Sequence, residues 1–400
     1  MSSSKITIKN YIHKKYINKK ENKKIIKNYT KIFNEVNFEI KNPKKNLNVL
    51  NKNFEFNFKS SDLKRFKNYK TVVVIGMGGS ILGAEAIYYF LKKKIKKKFI
   101  FLNNLEEDKI VNLKRKKFSK ILFIIISKSG NTIETLSNCF ALNILKKKAK
   151  NIIIITQKKN NSLYALANKL NLFFIEHKSH IGGRFSVHSE VGVIPALLMG
   201  INIKKLRAEV DSYLSDKNKK VLQESAIKLA NLINSKKVSN LIMLNYAPEL
   251  EKFLYWCQQL IAESLGKKNK GFLPLISTAP KDHHSLLQLY LDGPKDKIFQ
   301  IFSIEKNSKI KLNSRKNNYL KNKDITFIKN AQKKAMIKTL MKNNIPFKEI
   351  KIKSVDEKTL GKLFSFFILE TVIIGKLAKI DPYTQPAVEQ VKIFTKEFLN

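Results

Sequence analysis

Short apolar runs alternate with amphipathic segments through residues 68–176. Continuous apolar runs predict strands buried on both faces, and apolar residues at every third or fourth position predict helices. Strands are predicted at 71–75, 98–102, 121–126, 151–156 and 172–175, with helices near 80–93, 132–147 and 161–169. Strands that alternate with helices form βαβ units, so this part of the chain predicts a doubly wound parallel sheet.

A second α/β unit follows a helical stretch, which is predicted at 189–199, 203–213 and 218–234. The second unit has predicted strands at 239–244, 272–276 and 297–303, and predicted helices at 248–265, 283–291, 331–343 and 356–378. Residues 306–323, rich in lysine, asparagine and serine, predict a surface excursion. A final helix is predicted at about 387–399, after two prolines.

The predicted domains follow these patterns. The composition of residues 1–40, rich in lysine and asparagine, predicts a helical or irregular leader with weak core contacts. A first α/β domain is predicted over 41–205, a helical linker over 206–235, a second α/β domain over 236–384 and a C-terminal helix over 385–400. A chain of 400 residues can bury a large core and is long enough for two domains.

The chain is strongly basic, with a net charge of +47. Nucleic-acid recognition usually relies on arginine and on interleaved aromatic residues. Nearly all of the positive charge here is lysine, because the sequence has only five arginines: Arg65, Arg115, Arg184, Arg207 and Arg315. We therefore predict no nucleic-acid partner, and we expect the positive field to attract an anionic small molecule.

Two cysteines, Cys139 and Cys257, lie far apart and belong to no paired or metal-ligand spacing. This usage fits a reducing compartment, and we predict no metal site. The N-terminus lacks the apolar core of a signal peptide, and no apolar run approaches the length of a membrane span. These features predict a soluble cytoplasmic protein without a membrane partner.

The apolar run at 121–126 ends in a cluster of hydroxyls, one lysine and a glycine: Ser127, Lys128, Ser129, Gly130 and Thr132. A helical pattern follows directly. Backbone N–H groups, hydroxyls and an ammonium would therefore meet at a helix N-terminus, where the helix dipole favours an anion. The segment predicts a phosphate cup, and an ordinary strand–turn–helix is the alternative.

The strand predicted at 71–75 ends in a second polar turn, Gly-Met-Gly-Gly-Ser at 76–80. Its glycines let the backbone approach a ligand closely, and Ser80 can donate at the start of the helix. A dinucleotide site is the alternative. Its fingerprint requires glycine where Ile81 stands and an acidic residue at the end of the next strand, which instead ends in Asn103 and Asn104. Because the dinucleotide fingerprint is incomplete, the two polar turns, after the strands at 71–75 and 121–126, favour a small phosphorylated ligand over a dinucleotide.

Five segments, in order, resemble the glucose-6-phosphate isomerase family. They read Gly-Met-Gly-Gly-Ser-Ile-Leu-Gly at 76–83, Ser-Lys-Ser-Gly-Asn-Thr-Ile-Glu-Thr at 127–135, Gly-Gly-Arg-Phe-Ser-Val at 182–187, Gln-Gln-Leu-Ile-Ala-Glu-Ser-Leu-Gly-Lys at 258–267 and Gln-Pro-Ala-Val-Glu-Gln-Val-Lys at 385–392. The resemblance implies two doubly wound parallel-sheet sugar isomerase subdomains, each with three αβα layers, and a C-terminal helix. It also implies reversible isomerisation of glucose 6-phosphate and fructose 6-phosphate without a cofactor.

The resemblance assigns roles to three residues in proton transfer and charge stabilisation. Moving a carbonyl between C1 and C2 requires a base, and Glu263 matches the family's carboxylate; a surface glutamate paired with Lys267 is the alternative. Gln259, one helical turn away, lines the sugar site. Arg184 matches the permanent cation that stabilises a cis-enediolate, and a structural arginine bound to loop carbonyls is the alternative.

Ring opening and substrate binding are assigned in the same way. Of two adjacent histidines, His283 and His284, the following Ser-x-x-Gln-Leu pattern matches His284 to the family's ring-opening histidine. Histidine suits this step because it titrates near neutrality. Lys392 matches the lysine that contacts the ring oxygen or O1. The substrate's phosphate is assigned to Ser80, Ser127, Lys128, Ser129 and Thr132, and other substrate contacts to Gly79, Gly183, Gln259 and Gln385.

The chain departs from the family pattern at 278–282, where Thr-Ala-Pro-Lys-Asp replaces the usual Gly-Thr-Asn, and at Ala387, which replaces a glycine. Because the family's histidine reaches the neighbouring subunit, the resemblance implies a homodimer with shared active sites. Two functional alternatives stay open: a bifunctional isomerase that also accepts mannose 6-phosphate, and a non-catalytic sugar-phosphate sensor.

Overall fold

The computed structural model describes residues 5–306, 308, 310–313 and 319–399, with the side chains of residues 216 and 217 excepted. Its strands form two five-stranded sheets. They are β1 (Ile6–Tyr11), β2 (Thr71–Ile75), β3 (Lys98–Leu102), β4 (Ile121–Ile126), β5 (Ile152–Thr156), β6 (Phe173–Glu176), β7 (Asn240–Asn245), β8 (Leu273–Thr278), β9 (Lys297–Ile304) and β10 (Phe347–Ile352).

Helices cover these sheets and connect their strands. They are α1 (Lys19–Lys41), α2 (Leu82–Phe90), α3 (Glu107–Lys114), α4 (Ile133–Ala141), α5 (Ser162–Lys169), α6 (Glu190–Leu198), α7 (Ile203–Arg207), α8 (Asp216–Ser235), α9 (Glu251–Leu265), α10 (Leu287–Leu291), α11 (Ile325–Lys342), α12 (Glu357–Leu377) and α13 (Glu389–Glu397). No helix within the described ranges has the length and apolar character needed to cross a membrane.

The first sheet has the strand order β3-β2-β4-β5-β6, and all neighbouring strands are parallel. β4 is buried at every position, as expected for a parallel sheet covered by helices on both faces. The chain passes from β2 to β3 on one side and returns with β4 on the other, so the strand order reverses between β2 and β4. Doubly wound sheets bind ligands in the crevice at such a reversal, outside the carboxyl ends of the strands.

The second sheet has the order β1-β10-β9-β7-β8. Four of its strands are parallel, and β1 joins the edge antiparallel to β10, with Ile6 opposite Ile352. Helix α9 of this second unit packs against α2 of the first unit. This contact brings side chains of α9 to the turn that follows β2, where the crevice of the first sheet lies.

The predicted α/β fold with two parallel-sheet units and a C-terminal helix is confirmed, with β1 as an added antiparallel edge. The weak core contacts predicted for residues 1–40 are wrong. β1 completes the second sheet, and α1 buries a stripe of apolar side chains at helical spacing: Ile25, Tyr29, Phe33, Val36 and Ile40. The domain boundaries inferred from the sequence stay predictions.

Several predicted elements change in extent. The helix predicted over 132–147 ends at Ala141, because Asn143 adopts a left-handed backbone conformation with φ of 51°. The helix predicted over 203–213 ends at Arg207. Elements α3 and β10 lie where no element was predicted. The surface excursion predicted at 306–323 lies partly outside the described residues.

Strand β10 contains a completely buried lysine, Lys348, whose Nζ donates to both carboxylate oxygens of Glu370 in α12, at 2.8 and 2.7 Å. Burial lowers the pKa of Lys348, and the Glu370 carboxylate opposes that shift. Removing one partner leaves a buried charge unpaired. Lys348→Met is therefore expected to reduce the free energy of unfolding, measured by urea denaturation, by about 3–5 kcal/mol.

The matched control is Lys351→Met, on the same strand, whose partner Glu305 lies in a more exposed ion pair. This control is expected to cost less than about 1 kcal/mol. The double variant Lys348→Met/Glu370→Leu removes both charges and should recover most of the lost stability. A double variant less stable than the single one would contradict this account of the pair.

Candidate active site

The turns after β2 and β4 lie side by side at the crevice of the first sheet. Ile75 stands opposite Ile125, so the two parallel strands end at the same level. The backbone at Gly76 approaches β4 so closely that a Cβ there would lie 2.8 Å from the carbonyl oxygen of Ile126. Ser80 ends the 3₁₀ turn Gly78–Ser80. The two predicted phosphate loops therefore lie next to each other.

Three hydroxyls converge in the turn after β4. Ser127 Oγ lies 2.8 Å from Thr132 Oγ1, and Ser129 Oγ lies 3.3 Å from the same atom. Ser127 Oγ also accepts the N–H of Gly130 at 3.1 Å. Thr132 is the N-cap residue of α4, but its hydroxyl bonds to the serines rather than to the helix backbone. The hydroxyls thus cluster at the positive end of a helix, where an anion is favoured.

Lys128, in the same turn, is partly buried. Burial lowers its pKa, and the neighbouring positive charges of Lys159 and Arg184 lower it further. A cation held in this way is stabilised when an anion binds beside it. The turn therefore combines hydroxyl donors with a cation that would gain from a phosphate.

The glycines of the turn after β2 allow close packing against two other elements. Gly78 has a left-handed φ of +51°, and a Cβ there would lie 2.6 Å from Gln259 Nε2. A Cβ on Gly79 would lie 2.2 Å from the carbonyl carbon of Gly183 and 2.6 Å from the backbone nitrogen of Arg184. Any side chain at these positions would push the turn away from α9 and from the 3₁₀ turn Gly183–His188.

Gly79→Ala is expected to lower kcat/KM of the enzyme activity proposed below by about tenfold or more, because displacing Arg184 by a fraction of an ångström disturbs the geometry of the site. The matched control is Gly200→Ala. Unlike Gly79, Gly200 has a positive φ, of +85°, and no heavy atom lies within 4 Å of its added Cβ. The control should lose stability through backbone strain while keeping its kcat/KM. A Gly79→Ala variant with wild-type kcat/KM would show that this close contact is dispensable.

Arg184 lies in the turn Gly183–His188, and only 3% of its surface is exposed. Its Nε donates to Ser264 Oγ at 2.8 Å. One terminal nitrogen, Nη1, donates to Glu263 Oε2 at 3.1 Å and also to Gln385 Oε1. The guanidinium thereby connects the first α/β unit with the end of α9 and with the chain just before α13.

The other terminal nitrogen of Arg184, Nη2, donates to two main-chain carbonyls, that of Pro382 at 2.7 Å and that of Thr384 at 3.3 Å. All five N–H groups of the guanidinium therefore have acceptors. Burial lowers the pKa of Arg184, and the charge and hydrogen bond of Glu263 oppose that shift. Guanidinium remains charged under these conditions, so the site contains a fixed cation.

Both carboxylate oxygens of Glu263 are held. Oε1 accepts from Gln259 Nε2 at 2.9 Å, and Oε2 accepts from Arg184. The side chain of Glu263 is 29% exposed, whereas that of Arg184 is buried. The alternative pair of Glu263 with Lys267 does not form, because the ion pair of Glu263 is with Arg184. Both oxygens of the carboxylate are therefore fixed, one of them by a buried cation.

The structure brings most of the predicted site residues together. Gly79, Gly183, Arg184, Gln259, Glu263 and Gln385 form one contact network, and Ser80, Ser127, Lys128, Ser129 and Thr132 line the adjoining turns. Their catalytic and binding roles stay predictions. No group of three or more His, Cys, Asp or Glu within the described chain is arranged to hold a metal ion.

Two predicted residues lie outside this network. Lys392 is exposed on α13, where its Nζ donates to Glu389 one turn earlier. His284 is exposed in the 3₁₀ turn Lys281–His284, while the adjacent His283 bonds to the hydroxyl of Tyr246. Among the hydrogen bonds of the described residues, none joins Lys392 or His284 to Glu263 or Arg184.

Sequence reasoning missed two kinds of group in the site. Ser264 accepts from Arg184, and it lies inside the recognised segment 258–267, so the segment itself was the available signal. The carbonyl oxygens of Pro382 and Thr384 also bind Arg184. Every residue has a carbonyl, so no pattern of side chains could have identified these two acceptors.

Comparison with known proteins agrees with the fold. The Phosphoglucose isomerase family model matches residues 13–279. The chain is 33% identical to glucose-6-phosphate isomerase of Methanocaldococcus jannaschii over 82% of this chain and 84% of that protein. It is also 33% identical to glucose-6-phosphate isomerase of Mycoplasmopsis synoviae, over 81% of each.

A crystal structure of a hypothetical protein from Thermus thermophilus has the same fold, with a TM-score of 0.80 and 22% identity. The match covers 98% of this chain and all of that one. The family match spans well over half of the 400 residues and includes the turns after β2 and β4, Arg184 and Glu263. The chain therefore belongs to the phosphoglucose isomerase family.

Proposed function

We propose that the chain catalyses the reversible isomerisation of glucose 6-phosphate and fructose 6-phosphate. One observation carries the proposal: the carboxylate of Glu263 is held at 2.9 Å by Gln259 and at 3.1 Å by Arg184. An aldose–ketose isomerase needs this pairing, because the base moves a proton and the cation stabilises the oxygen charge that results. Relatives named glucose-6-phosphate isomerase, which match most of the chain, support the choice of substrate.

The proposed reaction takes place between the phosphate cup and α9. The hydroxyls of Ser127, Ser129 and Thr132, with Lys128, bind the phosphate. Glu263 removes the proton from C2 of the open-chain aldose, and the resulting carboxylic acid returns it to C1. Removing the C2 proton gives a cis-enediolate with negative charge on O1. A proton then passes from O2 to O1, which moves the charge to O2, and O2 becomes the ketose carbonyl oxygen when C1 is protonated. Arg184 stabilises that charge once a substrate oxygen replaces one of its present acceptors.

We further propose that the enzyme is a cytoplasmic homodimer whose subunits share active sites. Helix α13 supports this, because its apolar residues Val391 and Phe394 are 67% and 46% exposed in the single chain. An apolar helix face left in water is typical of an interaction surface. His284 and Lys392, both exposed, would complete a site for ring opening when a second copy covers these surfaces.

The test uses fructose 6-phosphate and purified protein, with glucose 6-phosphate formation followed by a coupled dehydrogenase in the presence of EDTA. We expect chelator-resistant turnover. Mannose 6-phosphate is tested in parallel, and comparable turnover of both substrates would support the bifunctional alternative. Tight binding of fructose 6-phosphate without turnover would overturn the enzyme proposal and leave a sugar-phosphate sensor.

A further inference from the structure

The loop after α9 contacts the chain segment that carries Gln385. Lys267 Nζ donates to the carbonyl oxygen of Asp381 at 2.5 Å and also to that of Thr384. Lys270, three residues later, donates to the carbonyl oxygen of Ala378 at 2.9 Å. Lys270 thus binds the C-cap carbonyl of α12, where unpaired carbonyls and the helix dipole favour cations. Lys267 binds main-chain carbonyls farther along the chain, beyond the helix.

Lys267 differs from a solvated surface lysine in the partners that it uses. Helix α9 ends at Leu265, so Lys267 lies beyond the helix and does not continue the face of Glu263. Burial and the charge of Arg184 lower its pKa, whereas Asp381 and Glu263 raise it. Its ammonium is therefore close enough to the Arg184–Glu263 pair to experience both charges, although its hydrogen bonds go to the segment 381–385, from Asp381 to Gln385.

Lys267 and Arg184 share an acceptor in this segment. The carbonyl oxygen of Thr384 accepts from both cations, and that of Pro382 accepts from Arg184. Because all five N–H groups of Arg184 are occupied, a substrate oxygen can bind the guanidinium only by replacing an acceptor. Gln385 Oε1 is the replaceable one, since it belongs to an exposed side chain, whereas the carbonyls belong to the main chain.

We propose that Lys267 is a positioning residue: it holds the segment 381–385 in place while Arg184 exchanges Gln385 for a substrate oxygen. This inference rests on the proposed function. Without Lys267, the carbonyl oxygens of Asp381 and Thr384 would lose the ammonium. Among the side-chain hydrogen bonds of the described residues, those that join the segment to other elements would then be the bonds of Arg184 and the bond from the Tyr383 hydroxyl to Glu39. The carbonyl acceptors of Arg184 would be held less firmly as charge develops on the substrate. The chemical step should suffer more than substrate binding, because the phosphate cup belongs to the turns of the first sheet.

The experiment compares Lys267→Met with Lys267→Arg and with the control Lys268→Met, which removes the adjacent exposed lysine. We expect Lys267→Met to lower kcat by about 10- to 100-fold while KM changes by less than about threefold. Lys267→Arg should restore most of the loss, since it can donate to both carbonyls. Lys268→Met should match the wild type, and urea unfolding should confirm that all variants fold.

Two further measurements separate positioning from a general structural role. In a double-mutant cycle, Lys267→Met and Gln385→Ala should be non-additive, because both act through the same segment. Hydrogen exchange of the peptide 379–388 should become faster in Lys267→Met and not in Lys268→Met. This exchange measurement needs no turnover. It therefore tests whether Lys267 holds the segment 381–385 in place even if the wild type proves inactive and the proposed function fails.

Wild-type kcat in Lys267→Met would overturn the positioning role. The same conclusion would follow from a loss that Lys267→Arg does not restore and that adds to the loss in Gln385→Ala. Unchanged hydrogen exchange at 379–388 would also overturn it, because the segment would then be held without the ammonium.

Discussion

Glu263→Gln is expected to lower kcat by about 10²–10⁴-fold, the usual contribution of a positioned general base. The amide has the shape of the carboxylate but cannot take a proton at neutral pH. Substrate binding should change little, so kcat and kcat/KM should fall together. Initial rates in the coupled assay over a range of fructose 6-phosphate concentrations measure both quantities.

The network around Glu263 can accommodate this change. Gln259 Oε1 is buried and has no hydrogen-bond partner among the described residues, while Gln259 Nε2 donates to Glu263. If the Gln259 amide turns over, its oxygen can accept the new N–H at position 263. A loss of activity in Glu263→Gln would therefore report the missing base rather than a disrupted site.

The control for this prediction is Glu251→Gln in the first turn of the same helix, where the side chain is exposed. It should keep wild-type kcat and an unchanged unfolding midpoint. If Glu263→Gln turned over fructose 6-phosphate at a rate close to the wild type, the base assignment would be wrong, although the isomerase activity would stand.

Arg184→Lys is expected to reduce kcat/KM by about 10²–10³-fold, comparable to the loss of one oriented donor at a developing oxyanion. Lysine keeps the charge but has three N–H groups instead of five, and it lacks the planar fork that spans the present acceptors. At least two of the five acceptors would lose a partner. The free energy of unfolding should also fall, by about 1–3 kcal/mol for each buried acceptor left unpaired.

Arg207→Lys is the matched control, because Arg207 is also buried and also binds main-chain carbonyls, those of Val49, His188 and Asn51. It should lose stability to a similar extent, measured by urea unfolding, but keep its kcat under conditions in which it is folded. Equal losses of kcat in the two folded variants would mean that Arg184 acts only through the fold.

The sequence predicted the first sheet closely, because isoleucine-rich strands buried on both faces have an unmistakable apolar pattern. Strands β2, β3 and β4 have the bounds that the pattern indicated. Strand β10 escaped prediction because it contains two lysines and a glutamate, one of the lysines being Lys348. Its charge is compensated by Glu370, which is distant in sequence, and no local pattern shows that partner.

In α1 and in the site, too, local patterns were predictable and contacts between residues far apart in sequence were not. The apolar stripe of α1 has helical spacing, but the lysines and asparagines around it suggested a solvated leader. In the site, the hydroxyl turn after β4 was predictable because its groups are adjacent in sequence. The contact of Arg184 with Glu263 joins residues 79 positions apart, and only the recognised family segments pointed to both.

The pairing of β1 with β10 has a consequence for biosynthesis. Ile352, the partner of Ile6, is made 346 residues after it, which takes about 20–70 s at common rates of translation. Throughout that interval the nascent chain carries a strand with no partner in place, and the first sheet can form long before the second is closed. We expect chaperones to bind the segment that contains β1 before β10 is made. Deleting β1 should therefore change the yield of folded enzyme more than the specific activity of the molecules that fold.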